Sequence, residues 1–285
     1  MTDPFFTRLR RRAAERDSLL CVGLDPEPDR LPEALRGAPV DQAVFDFLRN
    51  IVDATADLVA AYKPNLAFFE ALGPVGLDCL RRLCAHIPAE IPVVGDAKRG
   101  DIDNTMRRYA AALFDVYDFD AVTASPYLGA DAIQPMAERT ERGVYLLCRT
   151  SNPGAVEIAD LDVTDATGRR APLYLAIAQR VQAWNTNRNL GLVVGATYPE
   201  ELARVREVAP SLPILLPGVG AQGGLLEASV EAGVERESRA ELLVNASRQV
   251  LYASAADDFP EAARQVAARL RDRINRARTA TRPAT

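Results

Sequence analysis

The chain of 285 residues is 48% hydrophobic and 26% charged, with a formal net charge of −5. That balance excludes disorder, and an acidic chain gives no basis for holding a polyanion such as a nucleic acid. No run approaches the ~18 apolar residues of a membrane span, and residues 1–18 mix Arg with Asp and Glu, unlike a signal or transit peptide.

In chain order, residues 3–16 predict a capping helix. Eight short apolar runs then come, each bounded by turn signals: 18–25, 59–65, 92–98, 121–128, 143–151, 190–197, 213–220 and 241–248. Between them the spacing is helical, as in Val44, Phe47, Leu48, Ile51, Val52 and Thr55, or Leu173, Ile177, Val181 and Trp184. The runs are near-continuous rather than alternating, which suits parallel strands buried on both faces. Eight strand–helix units predict an α/β fold, a single-domain (β/α)8 TIM barrel, with a doubly wound open sheet as the runner-up. The capping helix occupies 1–17, the barrel 18–276 with a long loop at 152–172, and a frayed tail 277–285. The Arg-rich helix expected over 259–276 reads as a solvated face rather than an RNA contact.

The ends of the runs favour the barrel. Asp25, Lys63, Asp96, Lys98, Ser125, Ser151, Thr197, a glycine-rich turn and residues 245–248 close the eight runs in order. Parallel strands bring such ends to one rim, where barrel active sites are built. Cys21, Cys79, Cys84 and Cys148 form no C-x-x-C pair and have only His86 for company, so no zinc site is expected. They read as buried reduced thiols, and His86 as a helix C-terminal residue. An enzyme built from this chain runs on carboxylates, lysines and arginines.

The densest signal is Gly95-Asp96-Ala97-Lys98-Arg99-Gly100-Asp101-Ile102-Asp103-Asn104-Thr105. Asp96 and Lys98 stand two apart on a strand and so share a face. Gly100 permits a tight turn, and Asp101 falls where a helix N-cap is expected. D-x-K alone fits a structural ion pair equally well; the full D-x-K-x-x-D-I-x-x-T string is more specific. With Gly23-Leu24-Asp25, Tyr62-Lys63-Pro64-Asn65, Thr150-Ser151-Asn152-Pro153-Gly154, Pro217-Gly218-Val219-Gly220-Ala221-Gln222-Gly223 and Asn245-Ala246-Ser247-Arg248, the chain resembles the orotidine 5′-phosphate decarboxylase family, in particular its longer bacterial subgroup.

That resemblance implies decarboxylation of orotidine 5′-phosphate to UMP and CO2, the last step of de novo pyrimidine nucleotide synthesis, in a cytoplasmic enzyme without cofactor or metal. It implies that Lys63, Asp96, Lys98 and Asp101 form an alternating chain of charges, with Lys98 stabilising a C6 carbanion and protonating it. Asp25 and Lys63 would hold the ribose and Ser151 the pyrimidine amide; Pro217, Gln222 and Arg248 complete the substrate-binding set, with Gln222 and Arg248 at the phosphate. Asp101, Ile102 and Thr105 would reach the neighbouring site of a homodimer with shared active sites. The partners expected are thus a nucleotide monophosphate and a second copy, with no nucleic acid and no membrane.

The glycine-rich turn also matches G-x-G-x-x-G, but it lies in the seventh unit, and the next run ends in Asn245 and Arg248 rather than a ribose-binding acid. The last motif departs from the Gly-Arg-Ser of many shorter relatives, so the register of Arg248 rests on the following Leu251-Tyr252. Two rivals share parts of the pattern. A metal-dependent sugar-phosphate decarboxylase or aldolase of the same suprafamily shares D-x-K-x-x-D. A non-catalytic nucleotide-binding barrel has no need of two carboxylates beside an anionic ligand.

Overall fold

The computed structural model describes residues 3–165, 168–219, 225–235, 238 and 240–280. Eight parallel strands form one sheet: β1 (Leu20–Leu24), β2 (Ala61–Pro64), β3 (Val94–Arg99), β4 (Ala121–Ala124), β5 (Gly143–Arg149), β6 (Leu190–Val194), β7 (Ile214–Pro217) and β8 (Leu242–Ala246). Their spatial order is 2-1-8-7-6-5-4-3. The two edges meet through the parallel bridges Tyr62↔Val93 and Asn65↔Asp96, so the sheet curls into a barrel and the open-sheet alternative falls. All eight expected strands are present. Most stop two to four residues short of the predicted run, because the polar rim residue lies past the last ladder bond.

The strands are built from apolar residues buried on both faces, the interior and the ring of helices outside. Helix α1 (Phe5–Glu15) closes the base. Its Phe5 and Phe6 rings pack edge-on against Tyr145 inside the barrel, with centroids 6.1 and 5.4 Å away. A Cβ at Gly143 would stand 2.3 Å from the Phe5 ring, so this glycine lets α1 approach the sheet. Helices α2 (Val40–Thr55), α3 (Leu66–Glu70), α4 (Pro74–His86), α5 (Asp103–Ala111), α6 (Ala130–Ala137), α7 (Leu173–Trp184), α8 (Pro199–Val208) and α9 (Leu226–Gly233) follow the strands. After β8 come the short α10 (Arg248–Leu251) and the long α11 (Phe259–Ala280), which packs on α2 and α9. Helix α11 runs past the expected end at 276 and buries Ala277.

The long loop at 152–172 carries structure of its own: a 3-10 turn at Pro153–Glu157 and a small hairpin of Asp162–Thr164 with Arg170–Pro172. Arg149, at the end of β5 and 1% exposed, grips Asp160 of this segment through two hydrogen bonds of 2.8 and 3.1 Å. The bidentate fork ties the loop to the rim. Among the described residues, no helix is long and apolar enough to cross a membrane.

Candidate active site

Three adjacent strands place their C-terminal polar residues together. Lys63 is the penultimate residue of β2, Asp96 and Lys98 belong to β3, and Thr123 lies near the end of β4. Lys63 Nζ donates to Asp96 Oδ2 at 2.8 Å, and Lys98 Nζ donates to Asp96 Oδ1 at 2.6 Å. Thr123 Oγ1 donates to the same Oδ1 at 2.9 Å and accepts from the Lys98 backbone N–H at 2.9 Å. The carboxylate is thus held on both oxygens by two cations and a hydroxyl. Sequence reasoning missed Thr123; its signal was a polar residue inside the apolar run 121–128.

Burial alone would raise the Asp96 pKa, but Lys63 and Lys98 overcome it and hold the carboxyl well below the usual range. Burial likewise opposes the charge on Lys63, and the attraction of Asp96 and Asp25 outweighs it, lifting Lys63 above the ordinary lysine value. The two lysines differ in access. The Lys63 side chain is 4% exposed, that of Lys98 47%, so Lys98 is the ammonium that a bound molecule can meet.

Asp96 and Lys98 do meet, though not by simple strand alternation. The register between β3 and β4 shifts between Gly95 and Arg99, and Lys98 takes a left-handed backbone with φ of +48°. A bulge of this kind re-aims a side chain, and αL geometry in a non-glycine residue costs on the order of 1–3 kcal/mol. The fold carries that strain at the residue beside the cluster's open side.

Asp101 is not the helix cap. Helix α5 starts at Asp103, Ile102 occupies the cap position, and the Asp101 carboxylate accepts from the Ile102 N–H at 2.8 Å. The N-cap expectation fails because the chain stays extended through Ile102, whose φ and ψ are −101° and 151°. Ile102 is 59% exposed and Thr105 is exposed, so neither joins the Lys63–Asp96–Lys98 cluster of its own chain.

On the other side of the barrel mouth, Asp25 follows β1 and receives a 2.6 Å hydrogen bond from Ser247 Oγ, just after β8. Its second oxygen is buried without a partner among the described residues, as is Asn245 Oδ1. Ser247 was not singled out from the sequence, being 222 residues away from Asp25. Gly23 makes the contact possible: a Cβ there would stand 2.8 Å from the Ser247 Cβ. Ser151 follows β5 and reaches the residues after β6 and β7: a side chain on Gly195 would strike its backbone at 2.8 Å, and one on Gly218 would come 3.5 Å from its Cβ. Gly218, with φ of +97°, turns the chain away after Pro217.

Arg248 is the first residue of α10 and lines a cavity of about 510 Å3 with Gly218, Val219, Asn245, Tyr252 and Arg30. Among the described residues, no acceptor holds the Arg248 side chain. Gln222 lies outside the described residues. The remaining nucleophile types stand apart. His86 ends α4 and pairs with Asp53 at 2.7 Å, and burial pushes the Cys21 thiol up to about 12. The four cysteines carry no disulfide, and three are buried.

Comparison with known proteins gives a consistent answer. Residues 18–266 match the model of the orotidine 5′-phosphate decarboxylase / HUMPS family. The orotidine 5′-phosphate decarboxylase of Thermomicrobium roseum is 51% identical over 275 residues, covering 96% of both chains. That of Leptothrix cholodnii is 50% identical over 286 residues, covering 98% of this chain and 99% of its own. The solved OMP decarboxylase of Leishmania donovani superposes with a TM-score of 0.82 at 40% identity, covering 97% of this chain and 99% of that one.

Proposed function

From the premise that the chain belongs to the orotidine 5′-phosphate decarboxylase / HUMPS family, and is a carboxy-lyase acting on orotidine 5′-phosphate, we propose that the Lys63–Asp96–Lys98 cluster is its catalytic centre. The observation that carries this is the Asp96 carboxylate clamped between the two lysines, with only Lys98 open to the barrel mouth.

Decarboxylation at C6 leaves an electron pair in an sp2 orbital that no carbonyl can delocalise. A preorganised cation beside that carbon lowers the barrier electrostatically. Lys98 supplies it: as the C6–carboxylate bond breaks, CO2 leaves and the electron pair stays on C6 beside the Lys98 ammonium. Lys98 then gives C6 its proton and takes a replacement from water, which completes UMP. Asp96 disfavours the substrate carboxylate in the ground state, and Lys63 keeps Asp96 ionised. Asp25 and Lys63 hold the ribose hydroxyls, which suits the Asp25 oxygen left without a partner among the described residues. Ser151 reads the pyrimidine amide. Pro217 belongs to the substrate-binding set, and Gln222 and Arg248 bind the phosphate, a role supported by the place of Arg248 on the cavity wall, with no acceptor among the described residues.

Asp101, Ile102 and Thr105 act in the neighbouring site of a homodimer. Their support is the exposure of Ile102 and Thr105 and the absence of a role for the three residues in their own cluster. The cytoplasmic location and the place at the end of pyrimidine nucleotide synthesis belong to the same reading. The metal-dependent branch of the family is disfavoured by the names of relatives about half identical over nearly the whole chain. The test is an absorbance assay of the purified protein with orotidine 5′-phosphate, with and without EDTA. Turnover to UMP that EDTA does not touch is expected. Activity lost in EDTA and restored by Mg2+ overturns the reading in favour of that branch.

A further inference from the structure

The phosphate cavity holds a cation that none of these roles uses. Arg30 ends a 3-10 turn, Pro28–Arg30, in the connection between β1 and α2, and lines the same cavity as Gly218, Val219 and Arg248. It is not a loose surface side chain. Its guanidinium carbon lies 3.9 Å above the centre of the Tyr252 ring. The same ring stacks on the buried Phe47, with centroids 5.7 Å apart and planes 17° from parallel.

Tyr252 is fixed at its other end as well, where its hydroxyl oxygen accepts from the Glu27 N–H at 2.6 Å. Tyr252 caps α10, the helix that Arg248 begins. The ring therefore fastens the connection carrying Arg30 to the helix carrying Arg248. Glu27 takes one N–H of Arg30 at 3.1 Å, and the other donors of the fork have no acceptor among the described residues. A guanidinium oriented this way, with donors left over, suits a phosphate oxygen better than a mobile ammonium does.

We propose that Arg30 is a second phosphate-binding cation, so that two guanidiniums from opposite sides of the β1–β8 seam face one dianion; this rests on the reading of the cavity as the phosphate site. The guanidinium keeps donors free beside its Glu27 ion pair, and the stack on Tyr252 holds Arg30 in place before the ligand arrives. Preorganisation of this kind lowers the entropy lost on binding.

The test compares UMP and uridine as competitive inhibitors of Arg30→Ala, Arg30→Lys and Arg248→Ala. For Arg30→Ala the inhibition constant of UMP is expected to rise by about tenfold, that of uridine not at all, since only a charge-assisted contact to phosphate is lost. Arg30→Lys should recover part of the difference, because charge is kept and the stacked fork is lost. Equal losses for UMP and uridine, or no loss for either, overturn the proposal and make Arg30 a packing residue. If Arg248→Ala discriminates between the two ligands and Arg30→Ala does not, the role of Arg30 alone falls. If neither discriminates, the cavity is not the phosphate site and the reading beneath the proposal falls with it.

Discussion

The two sides of the barrel mouth solve opposite electrostatic problems. On β2, β3 and β4, each oxygen of a buried carboxylate is matched in advance, by Lys63 on one and by Lys98 with Thr123 on the other. On β1, β7 and β8, an arginine side chain and two buried oxygens are left without partners among the described residues. A buried charge is tolerable only when paired, so the first side must be complete before anything binds. On the proposed reading, the second side faces a ligand that brings its own two charges, and completing it internally would compete with that ligand. In that reading one side fixes the field for bond breaking, and the other stores unmet hydrogen-bonding capacity for recognition.

That contrast predicts different failures. Lys98→Ala should reduce kcat by at least ~10²-fold, the lower end of what acid–base catalysis alone supplies, while UMP binding persists. A loss confined to KM would erase the distinction between the two sides. Mixing Lys98→Ala with Asp101→Ala should restore activity if the site is shared. Each heterodimer then has one intact site, about a quarter of wild-type sites at random assortment. Subunit exchange seen by mass spectrometry with no activity regained would confine Asp101 to its own chain.

Arg248→Ala should weaken UMP by at least ~1.5–3 kcal/mol and leave uridine unchanged, and phosphite dianion should activate the wild type on a substrate lacking phosphate. Thr123→Val keeps the shape but strips hydrogen bonds from Asp96 and from the Lys98 backbone. Its expected cost in urea denaturation is about 1–3 kcal/mol, with a smaller effect on KM than on kcat.

The smallest effect is a flat line. A depressed carboxyl such as Asp96 contributes stability that is present above its unfolded pKa of ~3.9 and lost as pH falls towards the folded value. A raised lysine such as Lys63 contributes stability that is present below its unfolded pKa of ~10.4 and lost as pH rises through the folded one. The gap in urea midpoint between wild type and Asp96→Asn should therefore stay constant from about pH 7 down to about pH 5 and narrow below about pH 4. A gap that already closes near pH 6 would show that Asp96 is not held by its lysines.

The strand count, the barrel and the rim were legible because strands buried on both faces write continuous apolar runs and end where polarity begins. Lys63, Asp96 and Lys98 were legible as charges set inside such runs, where a carboxylate needs a partner. The bulge at Lys98 was not, since D-x-K looks the same on a straight strand and on one with a left-handed residue. Asp101 is misread as a cap for a related reason: the spacing after Gly100 does not reveal that the chain stays extended through Ile102. Ser247 was hidden by distance along the chain, because its meaning depends on β8 lying beside β1. Arg30 looks like any surface arginine until Tyr252 is seen beneath it.

The seam between the first and last strands has a consequence for how the protein is made. Strand β8 docks between β1 and β7, pairing Leu20 with Val244 and Val244 with Leu216. Contacts this remote in sequence form late and slow the search for the native state. A chain still on the ribosome, short of Leu242, already contains β2, β3 and β4, with all the charges of the Asp96 cluster. It lacks Ser247, Arg248 and Tyr252, and β1 has no partner on its β8 side. Until synthesis passes that point the nascent barrel is open along its length, the state in which an unpaired strand edge is most prone to aggregate.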